Sequence, residues 1–185
     1  MQNSNMPTLK PISEAILPHP RYDNKRVISW SDVIAIEGGN YPQSFSPNRK
    51  MVFGTYIHKL IEEDKLPFKV PRGAHQEVKV QHGRLVGTID SYDKITIIDF
   101  KTATKHWGRL KAESHEQQTY YAYLLWKDKG VQVKEYKIVS IETCWDDDEL
   151  SLTGSVKVHT VPITMADMLK ARARADRAIL KLRRA

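Results

Sequence analysis

The chain has 185 residues, a formal net charge of +7 and an ordinary globular mix of 41% hydrophobic and 28% charged residues, which predicts one domain with a single core. Its one cysteine, Cys144, excludes an internal disulfide, a four-cysteine zinc site and a cysteine-ligated iron–sulfur cluster. No apolar run reaches the roughly 20 residues that span a bilayer, and the excess of positive charge suits a polyanionic partner such as nucleic acid.

Residues 1–28 hold four of the nine prolines and show no period, which predicts an extended arm ahead of a domain covering 29–185. The N-terminus shows no apolar signal region and no Arg-rich amphipathic stretch, so an intracellular, cytoplasmic location is expected. Ser29-Trp30-Ser31-Asp32 offers cap residues for a short helix ending near Gly38-Gly39, and residues 41–46 read as a loop. Ser46-Pro47 is the expected start of a second helix, to about Asp64, with Met51, Ile57, Leu60 and Ile61 on its apolar face. Pro suits the first helical position because its missing N–H has no partner there anyway. Gly54 would let a neighbour approach that helix.

A β-rich block follows. Glu77–Val80 alternates, His82-Gly83 turns, Leu85–Asp90 forms a second strand, and Asp93-Lys94 turns into a third, Ile95–Phe100. Residues 103–113 read as a polar loop. Ser114 is expected to cap a helix from His115 to Lys129 that Gly130 ends. Strands are expected over Tyr136–Thr143 and Ser155–Val161. Thr164 and Asp167 form a capping box for a last helix to about Leu182.

The hairpin carries the chemistry. With Asp93-Lys94 as a two-residue turn, Tyr92 would pair with Ile95, Asp90 with Ile97 and Thr88 with Asp99. Thr88, Asp90, Asp99 and Lys101 would then share a face, with the Asp90 and Asp99 Cα atoms about 7–8 Å apart. Two carboxylates in a partly dry setting repel, and a divalent cation relieves that repulsion. Lys101 would orient or deprotonate a water or neutralise transition-state charge. A solvated hairpin with an Asp–Lys ion pair is the alternative reading.

Gly87-Thr88-Ile89-Asp90 followed by Ile98-Asp99-Phe100-Lys101-Thr102 resembles the GxxD…(D/E)xK core of the PD-(D/E)XK nuclease superfamily. Two further segments resemble motifs of its RecB-like branch. Gly54–Glu62 is similar to the GxxxHxxxE helix, and Gln117-Gln118-Thr119-Tyr120-Tyr121 to QxxxY. The layout is similar to mitochondrial genome-maintenance exonucleases and to CRISPR-associated RecB-like nucleases, without the iron–sulfur cluster many of the latter carry.

The resemblance implies an α/β, restriction-endonuclease-like mixed β-sheet flanked by helices. It implies Mg²⁺- or Mn²⁺-dependent hydrolysis of DNA by an exonuclease acting on single strands or ends, in a phage- or bacteria-like setting of recombination or replication. An endonuclease of the same fold and a non-catalytic DNA-binding or assembly module stay open as alternatives. By the same resemblance His58, Asp90, Asp99 and the main-chain carbonyl of Phe100 would ligate metal, and Lys101 would be catalytic with the two aspartates. Gln117 and Tyr121, with Thr102, would contact the substrate. Glu62 would orient His58 from one turn away, and Glu77 would project from the first strand or be solvated.

Arg172, Arg174 and Arg177 on the last helix would contact phosphates, opposite a stripe of Met165, Met168, Leu169, Ile179 and Leu182. Tyr120, Tyr123 and Trp126 read as packing aromatics, residues 145–149 as a solvated acidic turn and Cys144 as inert.

Overall fold

The computed structural model describes residues 27–41, 48–146 and 149–184. A five-stranded sheet runs in the order β1 (His75–His82), β2 (Leu85–Tyr92), β3 (Thr96–Ala103), β4 (Glu135–Asp146), β5 (Glu149–Pro162). Neighbours are antiparallel except β3 and β4, which are parallel. Parallel neighbours need a crossover, and this one contains α3 (Arg109–Glu113) and α4 (Gln117–Lys129). The other helices are α1 (Trp30–Glu37), α2 (Arg49–Glu62) and α5 (Met165–Arg184). The expected mixed α/β sheet flanked by helices is therefore what the chain forms.

Each face of the sheet carries its own apolar core. On one side α2 sets Phe53, Ile57 and Ile61 against Ile98, Phe100, Val139 and Leu152. On the other, α1, α4 and α5 cover Ile89, Ile97, Tyr136 and Ile138. Strand β3 serves both, with Ile97 in one core and Ile98 and Phe100 in the other, so it is apolar nearly throughout, as a central strand must be. Among the described residues no helix is long and apolar enough to cross a membrane.

Caps and turns follow the local chemistry with some shifts. Ser29 and Asp32 form a reciprocal capping box on α1, and Thr164 with Asp167 does the same for α5. The cap of α2 is Asn48, whose side chain accepts from the Met51 N–H at 3.0 Å. Ser46 and Pro47 lie outside the described residues, as do most of the arm, most of the loop expected at 41–46 and the centre of the expected acidic turn. The arm's last residue, Ile28, is fully buried, bridging to Leu85.

The stretch expected as a loop at 103–113 contains α3 instead. Ser114 closes that helix by donating its N–H to Leu110, and α4 starts at Gln117 with no side-chain cap. Gly130 ends α4 in the left-handed region at φ 72°, where a side chain would be strained.

The hairpin register differs from expectation by two residues. Ser91 pairs with Ile98 and Tyr92 with Ile97. Asp93 explains the shift: its Oδ1 accepts both Ile95 and Thr96 N–H groups, an Asx turn that keeps Ile95 out of the strand.

The last helix keeps part of the expected stripe, with Ile179 and Leu182 packed against the core and Met165 exposed, and adds alanines to it. Met168, Ala171, Ala175 and Ala178 face the core, while Leu169 is half exposed. Alanine lets α5 approach closely, so small residues rather than large ones mark its inner face. Arg174 donates to Glu37 at 2.9 Å and to Glu116 and lies over the Trp30 ring, tying α1, the start of α4 and α5 together. The hydrogen bond from Arg174 holds the Glu37 carboxyl below its usual range.

Arg174→Met is expected to lower stability by about 1–2 kcal/mol, the loss of charge-assisted bonds in a partly exposed setting. Urea unfolding followed by circular dichroism measures it, and an unchanged midpoint would show that the clamp adds nothing.

Candidate active site

Strand β3 has its parallel partner β4 on one side. The N–H and C=O of alternate residues point to the other side, where β2 should receive them. At Phe100 two side chains take that place. The Phe100 N–H donates to Asp90 Oδ2 at 2.9 Å, and the Phe100 carbonyl accepts from His58 Nε2 at 3.0 Å. A carbonyl cannot donate, so Nε2 carries the proton and, in neutral His58, Nδ1 keeps its lone pair. Nδ1 lies 3.6 Å from Asp90 Oδ1.

Helix α2 brings His58 here because Ile57 and Ile61 face the core beside it. Gly54, one helical turn before His58, lets Thr102 of β3 come close: a Cβ there would stand 3.2 Å from the Thr102 hydroxyl. Thr102 thus packs on α2 at the edge of the site.

Glu77 completes a cluster. Ligand atoms of His58, Glu77 and Asp90 all lie within 4.8 Å of one another. Glu77 is solvent-exposed as a residue, but its backbone adopts φ 48° in the middle of β1, a conformation uncommon for a side-chain-bearing residue. Its carboxyl is pushed up to about 7, first by lost hydration and then by the Asp90 charge. Burial likewise pushes Asp90 up, opposed by His58 and reinforced by Asp99. In both, burial and mutual repulsion outweigh the favourable influence of the neighbouring basic groups.

Asp99 and Lys101 form a second pair. Lys101 Nζ stands 3.0 Å from Asp99 Oδ1 and 2.9 Å from Oδ2. Only the first contact has hydrogen-bond geometry, and Oδ2 is buried with its ion pair to Lys101 but no hydrogen bond. Burial alone would pull the Lys101 ammonium down, but the charges of Asp99 and Asp90 outweigh it and hold the group above its usual value. Lys101 is therefore a fixed cation rather than a base in this arrangement.

On α4, Gln117 Nε2 donates to the Tyr121 hydroxyl at 2.8 Å. Burial, with the Asp90 and Asp99 charges, keeps the Tyr121 phenol protonated well above its ordinary range. The Tyr121 ring lies on Gly87: a Cβ at Gly87 would stand 2.5 Å from Tyr121 Cε1. The glycine is needed so that the ring can come this close to β2.

The structure thus brings together His58, Glu77, Asp90, Asp99, Lys101, the Phe100 backbone, Gln117 and Tyr121. Glu62 is exposed, and it acts on Glu77 only as a neighbouring negative charge. Arg174 is engaged in the clamp. Arg172 donates to Asp176 at 2.7 Å and to the Tyr123 hydroxyl at 2.8 Å, so two of the three basic-helix residues have partners within the fold. Glu77 is the residue that sequence reasoning underweighted. An alternating strand pattern does not reveal a backbone kink, and the sole signal was its position between Gln76 and Val78 on a strand beside the GxxD segment.

No family model matches the sequence, and no curated protein matches it. Solved structures do share the fold. A protein from Eubacterium rectale whose name assigns it as an exonuclease aligns with TM-score 0.61 at 11% identity, over 91% of this chain and 85% of that one. A phage-related exonuclease from Haemophilus somnus 129PT aligns at 0.53 and 12%, over 82% and 78%. The alkaline exonuclease LHK-Exo of Laribacter hongkongensis, in complex with dAMP, aligns at 0.53 and 13%, over 85% and 88%. At such identities the likeness establishes a common fold.

Two outcomes are expected. Gly87→Val should destabilise the protein by about 1–3 kcal/mol through overpacking against Tyr121, read by urea unfolding. The second concerns Glu77, whose folded-state pKa lies above its unfolded value. The native state then binds more protons between pH 4.5 and about 7, so the contribution of Glu77 to stability is present below that window and lost as pH rises through it. Glu77→Gln should flatten the fall in melting temperature across this window in EDTA. A Glu77→Gln profile with the same slope as wild type across the window would refute the assignment.

Proposed function

We propose that this chain is a Mg²⁺- or Mn²⁺-dependent deoxyribonuclease of the PD-(D/E)XK superfamily, in its RecB-like branch, acting as an exonuclease on single strands or DNA ends inside the cell. The observation that carries the reading is the convergence of His58, Glu77 and Asp90 within 4.8 Å, beside the Asp99–Lys101 pair. The exonuclease names of the fold's neighbours and the net positive charge support it.

The donor set fits a hard divalent cation: two carboxylates whose ionisation is held back by burial and mutual repulsion, and an imidazole with a lone pair turned toward Asp90. His58, Glu77 and Asp90 would hold it, with Asp99 Oδ2, which accepts no hydrogen bond, as a further donor. Bound there, such an ion would polarise a phosphoryl oxygen and lower the pKa of a water.

The chain's own groups divide the remaining work. Lys101, fixed as a cation by Asp99, offers N–H donors to the negative charge that grows on the phosphoryl oxygens as the bond breaks. Gln117 and Tyr121 offer neutral donors to the DNA backbone. The Phe100 backbone holds Asp90 and His58 in register, so neither side chain must be ordered when substrate arrives. Arg177 is a candidate distant phosphate contact.

Three variants test the site. Asp90→Asn, Asp99→Asn and Lys101→Ala should each lower cleavage of linear single-stranded DNA in Mg²⁺ by at least about a hundredfold while the circular dichroism spectrum is retained. Wild-type rates in Asp99→Asn would sink the site assignment. Linear DNA should be degraded while a covalently closed single-stranded circle survives. Rapid cutting of the circle would show endonuclease action.

A further inference from the structure

A side-chain amide can sit in either of two orientations, one offering its nitrogen where the other offers its oxygen. The i, i+4 spacing of Gln117 and Tyr121 does not choose between them, yet the choice decides what the pair can do. With the amide nitrogen toward Tyr121, the phenol oxygen accepts and its own hydrogen is free to donate elsewhere. With the amide oxygen toward Tyr121, the phenol hydrogen is consumed inside the pair.

His115 stands at the other end. Its Nε2 lies 3.0 Å from Gln117 Oε1, and an amide oxygen only accepts, so Nε2 carries the proton. The ring is half-buried, with the Trp107 indole edge-on to it at 5.0 Å. Burial and the Lys101 charge lower its pKa, which favours the neutral imidazole. The backbone N–H and C=O of Trp107 are themselves anchored, to Ser140 Oγ at 3.0 Å and His159 Nε2 at 2.7 Å, so the indole that braces His115 is held from both sides.

We propose that His115 is a positioning residue that sets the direction of a donor relay running from His115 Nε2–H through Gln117 to Tyr121, so that the Tyr121 hydroxyl hydrogen and the second Gln117 N–H both face an anionic phosphate oxygen. The proposal rests on the reading of Gln117 and Tyr121 as contacts to nucleic acid. Every donor in the relay points one way, and a proton on His115 Nε2 disfavours the reverse arrangement, which would set two N–H groups against each other. Reversal would remove the Tyr121 donor and turn an amide oxygen lone pair toward the tyrosine, leaving the phosphate with fewer partners.

The test uses the full chain and one labelled linear single-stranded oligonucleotide. Binding is read by anisotropy in EDTA and cleavage by steady-state kinetics in Mg²⁺, with melting temperatures recorded alongside. His115→Gln places an amide N–H near the Nε2 position, whereas the shorter His115→Asn and the apolar His115→Leu do not. For His115→Leu and His115→Asn, Kd and KM should rise about tenfold, the loss of one charge-assisted hydrogen bond. Their kcat should stay within about twofold, as expected when a contact made equally in ground and transition state is lost. His115→Gln should return both constants to within about twofold of wild type.

In a Tyr121→Phe background, which has no terminal hydroxyl, His115→Leu should add little, giving a non-additive double-mutant cycle. Where His115→Leu fails to fold, the Gln and Asn variants carry the comparison. Unchanged Kd and KM in His115→Asn, failure of His115→Gln to rescue, or strictly additive effects would each overturn the relay. Wild-type protein that neither binds nor cuts the oligonucleotide would instead overturn the nuclease reading beneath it.

Discussion

Everything at the site hangs on one peptide-backbone need. A central β-strand must satisfy the hydrogen-bonding groups on both its edges, and at Phe100 one edge meets no strand. The Asp90 carboxylate takes the N–H and the His58 ring takes the carbonyl. The same bonds that keep β3 from carrying orphaned polar groups therefore fix two side chains to better than the freedom of their own rotamers. The Phe100 ring adds to this from the other direction, packing into the α2 core and edge-on to the His58 imidazole. Structure and site are thus not separate layers: the backbone of one residue is the jig for both.

The electrostatics follow from that construction. Holding Asp90 against β3 buries it, and the kink at Glu77 brings a second carboxyl to it, so both acids resist ionisation. Asp99 neutralises Lys101 but keeps one oxygen without a hydrogen bond. Such an arrangement costs stability in the free protein, and perturbed carboxyl groups gathered in one place mark a candidate functional site.

Much of this was legible in the sequence, for reasons that can be named. The hydrophobic runs of β3 and α4, the Ser29–Asp32 and Thr164–Asp167 boxes and the turn glycine at 130 are local signals, and local physics decides them. Asp90, Asp99, Lys101, His58, Gln117 and Tyr121 were selected through their motif spacing, and they do gather in space. What escaped depends on long-range or backbone detail. The two-residue slip at Asp93 comes from a side chain capping its own turn. The inner face of α5 is written in alanines, which carry almost no hydrophobic signal. The inward turn of Glu77 needs a positive φ that no residue-type pattern encodes, and Arg174 looked like a surface cation because Glu37 and Glu116 are far from it in sequence.

The flush contact between Gly87 and the Tyr121 ring bears on how such a chain can change over time. The two positions sit on different elements, 34 residues apart in the chain, yet a side chain can grow at one only if the other shrinks in the same step. Any single substitution that enlarges position 87 pushes the ring off β2, and with it the hydroxyl that Gln117 holds. Substitutional paths through sequence space are therefore closed at this pair unless they pass through a smaller residue at 121 first, which abandons the ring's place at the site before anything replaces it. A hairpin glycine and a helix tyrosine behave as one inherited unit, for no reason beyond the thickness of an aromatic ring.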